Sequence, residues 1–278
     1  MANDRYLHWV KAFLESVRSK NPDLPLYCIP HVGSIEAVCG LRGVYRFELL
    51  TDGIARLDAF ATRLYRYSRA RHRANLRKYV ALNLPVDEIA YFDIDMAMLI
   101  DPDRLFGHVA AGRADLVYFA SSPEWVYWPG KLDVARELFP EMRLISAGAF
   151  VTSPRALSME DMIGTVENNL KLFRSLRRFA VFDQPVLNFV LHSLGKRLRH
   201  ISELDPAFCG MVSSRNPDLR CIEGKIVNTK MDGEVLAVHW AGPAKKHVER
   251  LTPRTWPVQR FLETLNQQAD DRIRSVAQ

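Results

Sequence analysis

Tyr91-Phe92-Asp93-Ile94-Asp95-Met96-Ala97-Met98-Leu99 is the stretch whose reading decides the fold. It continues the extended-looking run Glu88-Ile89-Ala90-Tyr91-Phe92 and sets two carboxylates in otherwise apolar surroundings. Unpaired carboxylates inside a strand are strongly disfavoured. At the end of a strand in an open α/β sheet they lie where such sheets bind ligands. Two hard oxygen donors one residue apart suit Mg²⁺ or Mn²⁺, with water and substrate phosphates completing the shell. The motif therefore points to a metal–diphosphate site. Asp-x-Asp is short and common, and a solvated acidic pair at a strand end is the plain alternative.

The rest of the chain is consistent with such a sheet. Its 278 residues are 48% hydrophobic, ample for a packed core. No run of about 18 apolar residues suggests a spanning helix, and the N-terminus lacks an apolar signal core. Cys28, Cys39, Cys209 and Cys221 are scattered, without zinc spacing, and read as reduced thiols of a cytoplasmic protein. The net charge of +6 favours anionic partners. Positive charge is concentrated in Arg63, Arg66, Arg69, Arg71, Arg73, Arg77 and Lys78, which reads either as solvated helix faces or as a face for an acidic partner. No nucleic-acid-binding motif accompanies it.

Tyr6, Trp9, Val10, Phe13, Leu14 and Val17 follow helical spacing, with Asn3 or Asp4 as the expected cap. Leu26–Ile29 and Arg46–Leu50 read as strands, then helical patterns run through about Leu82 to the strand that carries Asp93. Asp115–Phe119 and Leu144–Thr152 look extended, 155–175 and 183–194 helical, 234–239 extended again, and a helix from about Pro257 closes the chain. Alternating strands and helices predict an α/β fold with a mostly parallel sheet. The expected organisation is a single domain over 1–278 with a C-terminal helical extension from about 253.

Three further segments bear on the acidic pair. His239, at a strand end, can complete a metal shell through an imidazole nitrogen, although a satisfied core histidine is an equally ordinary role. Gly242 lets backbone approach a phosphate closely, and Lys245 can neutralise its charge. Asp183 and Gln184 stand at a helix start, where Asp183 could equally be a plain cap. Arg77-Lys78 lies just before the metal strand.

Together these segments resemble the GT-A-fold glycosyltransferases, closest to family 8 with its glycogenin-like and lipopolysaccharide galactosyltransferase-like enzymes. Asn3-Asp4-Arg5-Tyr6 is similar to the family's opening Asn-Asp-x-Tyr, and Phe92-Asp93-Ile94-Asp95 to its Asp-x-Asp segment. Ser146-Ala147-Gly148, Asp183-Gln184 through Leu187-Asn188, and His239-x-x-Gly242-x-x-Lys245 follow in the family's order. The resemblance implies a Rossmann-related GT-A sheet, a UDP-linked sugar donor and retention at the anomeric carbon. It implies Mn²⁺ or Mg²⁺ on Asp93, Asp95 and His239, with the diphosphate contacted by Gly242 and Lys245. Asn3 and Tyr6 would touch ribose and uracil. Arg77, Lys78, Ser146 and Gly148 would line the donor, and Asp183 and Gln184 would serve the reaction. The acceptor would be a glycan, a glycolipid or another anionic molecule, with peripheral contact at the inner membrane face through the basic segment.

The chain departs from the family at three places. Lys246-His247 replaces Pro-Trp, and Ser146 replaces Asn. The family's first strand would precede Asn3, where only Met1-Ala2 stand. That strand is expected about five to eight residues upstream, β-branched and apolar. Two other functions compete: a degenerate glycosyltransferase fold that binds without turnover, and a haloacid-dehalogenase-type phosphohydrolase, whose nucleophile motif Phe-Asp-x-Asp also resembles.

Overall fold

The computed structural model describes the chain outside residues 67, 122–125, 178–182, 223–224, 241–255 and 278. Its strands are β1 (Leu26–Cys28), β2 (Phe47–Leu49), β3 (Ile89–Phe92), β4 (Met96–Met98), β5 (Leu116–Tyr118), β6 (Ala149–Thr152), β7 (Leu198–His200), β8 (Phe208–Ser213), β9 (Leu219–Ile222), β10 (Lys225–Asn228) and β11 (Glu234–His239). The longer helices are α1 (Leu7–Arg18), α2 (Ile54–Leu64), α3 (Met159–Asn168), α4 (Leu170–Leu176), α5 (Asp183–Ser193) and α6 (Trp256–Ala277).

Four strands form the central sheet in the order β3-β6-β5-β7, three form a second sheet β4-β11-β8, and β1-β2 and β9-β10 pair separately. The α/β class is as expected, but pairing is mixed. β6 runs antiparallel to both β3 and β5, whereas β5–β7, β8–β11 and β1–β2 are parallel. The antiparallel course of β6 has a consequence for the site. It brings the loop before β6 against the end of β3, where the Asp93 amide donates to the Gly148 carbonyl at 2.8 Å.

Strand alternation sorts the core into two layers. Tyr91, Leu116, Tyr118 and Phe150 pack with Leu57, Tyr79, Val186 and Val190 on the helical side. Ala90, Val117, Ala149 and Val151 face Met98, Phe208 and Leu236 on the side of the second sheet. With both faces covered, the strand β6 is buried at every residue. The pattern of α3 is set locally by a capping box, in which the Ser158 hydroxyl accepts from the Asp161 amide while the Asp161 carboxylate accepts from the Ser158 amide.

The first helix starts differently from expectation. Asn3 caps nothing; its amide nitrogen donates to the Val32 carbonyl at 2.7 Å. Asp4 instead accepts from the Val38 amide at 3.0 Å and from the Ser34 hydroxyl. The loop after β1 thus takes the side chains that would otherwise close the helix. At the other end of the chain, Arg272 of α6 makes a two-pronged pair with the buried Glu15 of α1 at 2.7 and 2.9 Å, which fastens the last helix to the first.

One partly buried titratable group sets a stability limit. His192 packs on Phe139, with Nε2 3.1 Å from the Arg143 carbonyl oxygen. Burial lowers its pKa from 6.5 to about 4, against a smaller opposing effect of that carbonyl. The unfolded chain therefore binds a proton where the folded chain does not. This contribution is complete above pH 6.5 and is lost as pH falls to about 4. It amounts to about 3 kcal/mol. In urea titrations, His192→Gln is expected to lose less stability between these pH values than the parent. Parallel acid limbs for the two proteins would assign the loss elsewhere.

Candidate active site

The acidic pair lies where the two main sheets meet. β3 ends at Phe92, the chain turns through Asp93, Ile94 and Asp95, and β4 begins at Met96. β4 pairs antiparallel with β11 so that Met96 stands opposite His239. The Trp240 amide donates to the Asp95 carbonyl at 2.8 Å and closes the joint. One ligand atom from each of Asp93, Asp95 and His239 lies within 4.8 Å of the others. His239 Nε2 is 3.6 Å from Asp95 Oδ2. Two carboxylates and an imidazole fit Mn²⁺ well and Mg²⁺ acceptably.

Gly148 completes this cradle. A Cβ there would stand 3.0 Å from Met96 Cε, 3.3 Å from Asp93 Oδ2 and 3.4 Å from His239 Cε1. The Met96 tip can swing away, but the Asp93 oxygen and the His239 ring belong to the cluster. Gly148→Ala is expected to weaken Mn²⁺ binding about tenfold or more with unchanged circular dichroism. Calorimetric titration with Mn²⁺ measures this, and an unaltered affinity would separate Gly148 from the site.

A second group of residues fixes the cluster from behind. Lys78 is buried, at 1% exposure. Its ammonium lies 2.6 Å from Asp183 Oδ2, 3.4 Å from Asp93 Oδ1 and 2.9 Å from the Ala147 carbonyl. Burial opposes its charge, but Asp183 and Asp93 together outweigh burial and hold its pKa above that of a free lysine. The Tyr91 hydroxyl donates to Asp93 Oδ1 at 2.6 Å. Burial, then the Asp93 charge, pushes the Tyr91 pKa far up, so it remains a donor. Tyr79 donates to the Asp183 carbonyl at 2.8 Å.

Asn188, fully buried on α5, organises the loop before β6. Its amide nitrogen donates to the carbonyls of Ile145 and Gln184, and its Oδ1 accepts from the Ile145 amide at 2.9 Å. The next residue, Ser146, has its hydroxyl 3.3 Å from the Gly148 amide. The structure therefore brings Asp93, Asp95, His239, Gly148, Lys78 and Asp183 together. Of the adjacent basic pair, Arg77 turns elsewhere, to both oxygens of Asp58 at 2.8 and 2.5 Å and to the Pro30 carbonyl. Gln184 occupies the first turn of α5 beside Asp183. Gly242 and Lys245 lie outside the described residues.

Asn3 holds one unmet polar group. Its Oδ1 is buried and accepts no hydrogen bond among the described residues, while its nitrogen is held by Val32. A buried acceptor of this kind suits an incoming N–H donor. Tyr6 packs beside the cluster of Trp9 and Trp240. Tyr91 and Tyr79 are the site residues that motif reading missed. Their signal was weak: a tyrosine two residues before Asp93, and one beside Lys78.

The basic segment is not one open surface. Arg63 pairs with Glu167, Arg77 with Asp58, and Lys78 is interior. Among the described residues, no helix is long and apolar enough to cross a membrane.

Solved structures share this architecture. The galactosyltransferase LgtC, in complex with donor and acceptor sugar analogues, aligns with a TM-score of 0.61 and 15% identity over 96% of this chain and 94% of its own. The fold is that of a GT-A glycosyltransferase. Mouse xyloside xylosyltransferase 1 aligns with a TM-score of 0.54 and 12% identity over 84% of this chain and 91% of that one. The glycosyltransferase GlyE of Streptococcus pneumoniae TIGR4 aligns with a TM-score of 0.54 and 12% identity over 96% of this chain and 61% of that one. No family model and no curated protein matches the sequence.

Proposed function

We propose that this chain is a divalent-metal-dependent glycosyltransferase that moves a sugar from a UDP-linked donor to a glycan or glycolipid acceptor, with retention. The observation that carries the reading is the Asp93–Asp95–His239 cluster at the joint of the two sheets. Such a cluster would hold Mn²⁺ or Mg²⁺, and the bound ion would neutralise the charge that develops on the departing diphosphate. Gly242 and Lys245 would contact the same diphosphate. Asn3 Oδ1 would accept from the base, and Tyr6 would pack beside the nucleoside.

Asp183 is the group proposed to face the electron-poor sugar, with Gln184 beside it. A carboxylate near an oxocarbenium-like centre stabilises it as the leaving group departs. Lys78 is a positioning residue. Its 2.6 Å contact sets the orientation of Asp183, and its charge offsets the mutual repulsion of Asp183 and Asp93.

The phosphohydrolase reading requires a second acidic pair beside the first aspartate. Among the described residues, the group that could hold a metal pairs Asp93 and Asp95 with a histidine instead. A screen of nucleotide sugars for slow hydrolysis, with Mn²⁺ and with chelator, tests the proposal without an acceptor. Metal-dependent release of UDP from one donor supports it. UDP binding by calorimetry with no hydrolysis of any donor favours a binding protein without turnover.

A further inference from the structure

Asp183 is held at two points by consecutive residues of one element. Lys78 and Tyr79 are both buried in the 3₁₀ helix Ala74–Asn83. The Lys78 ammonium lies 2.6 Å from Asp183 Oδ2, and the Tyr79 hydroxyl donates to the Asp183 carbonyl at 2.8 Å. Lys78 thus takes the side chain of Asp183, and Tyr79 takes its main chain.

The Tyr79 hydroxyl has a second partner. It accepts from the Leu187 amide. In an α-helix that begins at Asp183, that amide pairs with the Asp183 carbonyl, four residues back. The hydroxyl therefore engages both groups of the first internal bond of α5. A side chain that enters this ladder widens or bends the helix locally. The next carbonyl, that of Gln184, takes the Asn188 side-chain amide at 2.8 Å. Pro185, in the same turn, disfavours the helical conformation of the residue before it. The turn that carries Asp183 and Gln184 thus draws support from two buried polar side chains, Tyr79 and Asn188.

We propose that Tyr79 is a positioning residue for Asp183. Its hydroxyl spaces the first turn of α5 and, with Lys78 on the carboxylate, fixes where that carboxylate stands relative to Asp93. The inference rests on the role proposed for Asp183 in glycosyl transfer. A buried phenol suits the task, because it donates to a carbonyl and accepts from an amide at once. A misplacement of about 1 Å can cost on the order of 100-fold in rate. A contact that touches no substrate can therefore govern turnover.

The test compares the parent with Tyr79→Phe and Tyr127→Phe. Each change keeps the ring and its packing and removes one buried hydroxyl; that of Tyr127 makes no hydrogen bond among the described residues. With the donor found by hydrolysis in Mn²⁺, Tyr79→Phe is expected to lower kcat about tenfold or more. Its affinity for UDP in Mn²⁺ should stay within about twofold of the parent. Tyr127→Phe is expected to match the parent in both. Crystal structures without nucleotide or metal give a second readout. In Tyr79→Phe the Asp183 carboxylate is expected to move relative to Asp93 by about 0.5 Å or more. An unmoved carboxylate, an unchanged kcat, or an equal loss in Tyr127→Phe would overturn the proposal. A parent that hydrolyses no donor would count against the glycosyltransferase reading instead, and the crystal comparison would then decide the role of Tyr79.

Discussion

Asp95→Asn is expected to reduce UDP affinity in the presence of Mn²⁺ by more than about 100-fold, beyond the usual loss when a partner outside the coordination shell is removed. The asparagine keeps the shape and removes the charge. Asp95 is 4% exposed, and its backbone carbonyl, which the substitution leaves in place, accepts from Trp240. The fold should therefore survive, with a thermal midpoint near that of the parent. Calorimetry with UDP, with and without Mn²⁺, gives the result directly. Parent-like affinity for UDP and Mn²⁺ together would remove Asp95 from the site.

The second large effect concerns Lys78. Lys78→Met removes the buried ammonium that lies between Asp183 and Asp93. Breaking a buried pair by deleting one partner costs about 3–5 kcal/mol, because the other charge is left uncompensated. Here two carboxylates and the Ala147 carbonyl lose the ammonium together, although Asp93 keeps the Tyr91 hydroxyl. Denaturant titration should show a loss in that range, and the thermal midpoint should fall on the order of 10 °C. Combining Lys78→Met with Asp183→Leu should cost less than the two single changes added together, as expected for groups in direct contact. A loss below about 1 kcal/mol for Lys78→Met, or strict additivity in the cycle, would contradict the coupling. Donor hydrolysis should also fall, since Asp183 would no longer be held in one orientation.

Much of the architecture was legible because it depends on local periodicity. The alternating run before Asp93, the strand 234–239 and the terminal helix are visible as patterns of two or of three to four residues, and each forms close to its expected bounds. Short strands were less legible. β4, Met96–Met98, carries no alternation because both its faces are covered. β7 and β9 are only three and four residues long. The directions of pairing were not legible at all, since β6 would show the same apolar run whether parallel or antiparallel.

The sequence alone determined which residue types could do the chemistry: two aspartates one residue apart at a strand end and a histidine at another. Those are properties of composition and spacing. Only the tertiary structure decided which of them meet. Asp93 and His239 are 146 positions apart, and their approach depends on β4 pairing with β11. The same holds for Lys78 and Arg77. They are neighbours in the chain with the same charge, yet one is buried against Asp93 and Asp183 while the other is turned to Asp58. Adjacent side chains leave the backbone in different directions, so their partners are set by what the packed helices and sheets bring alongside, and no local pattern records that.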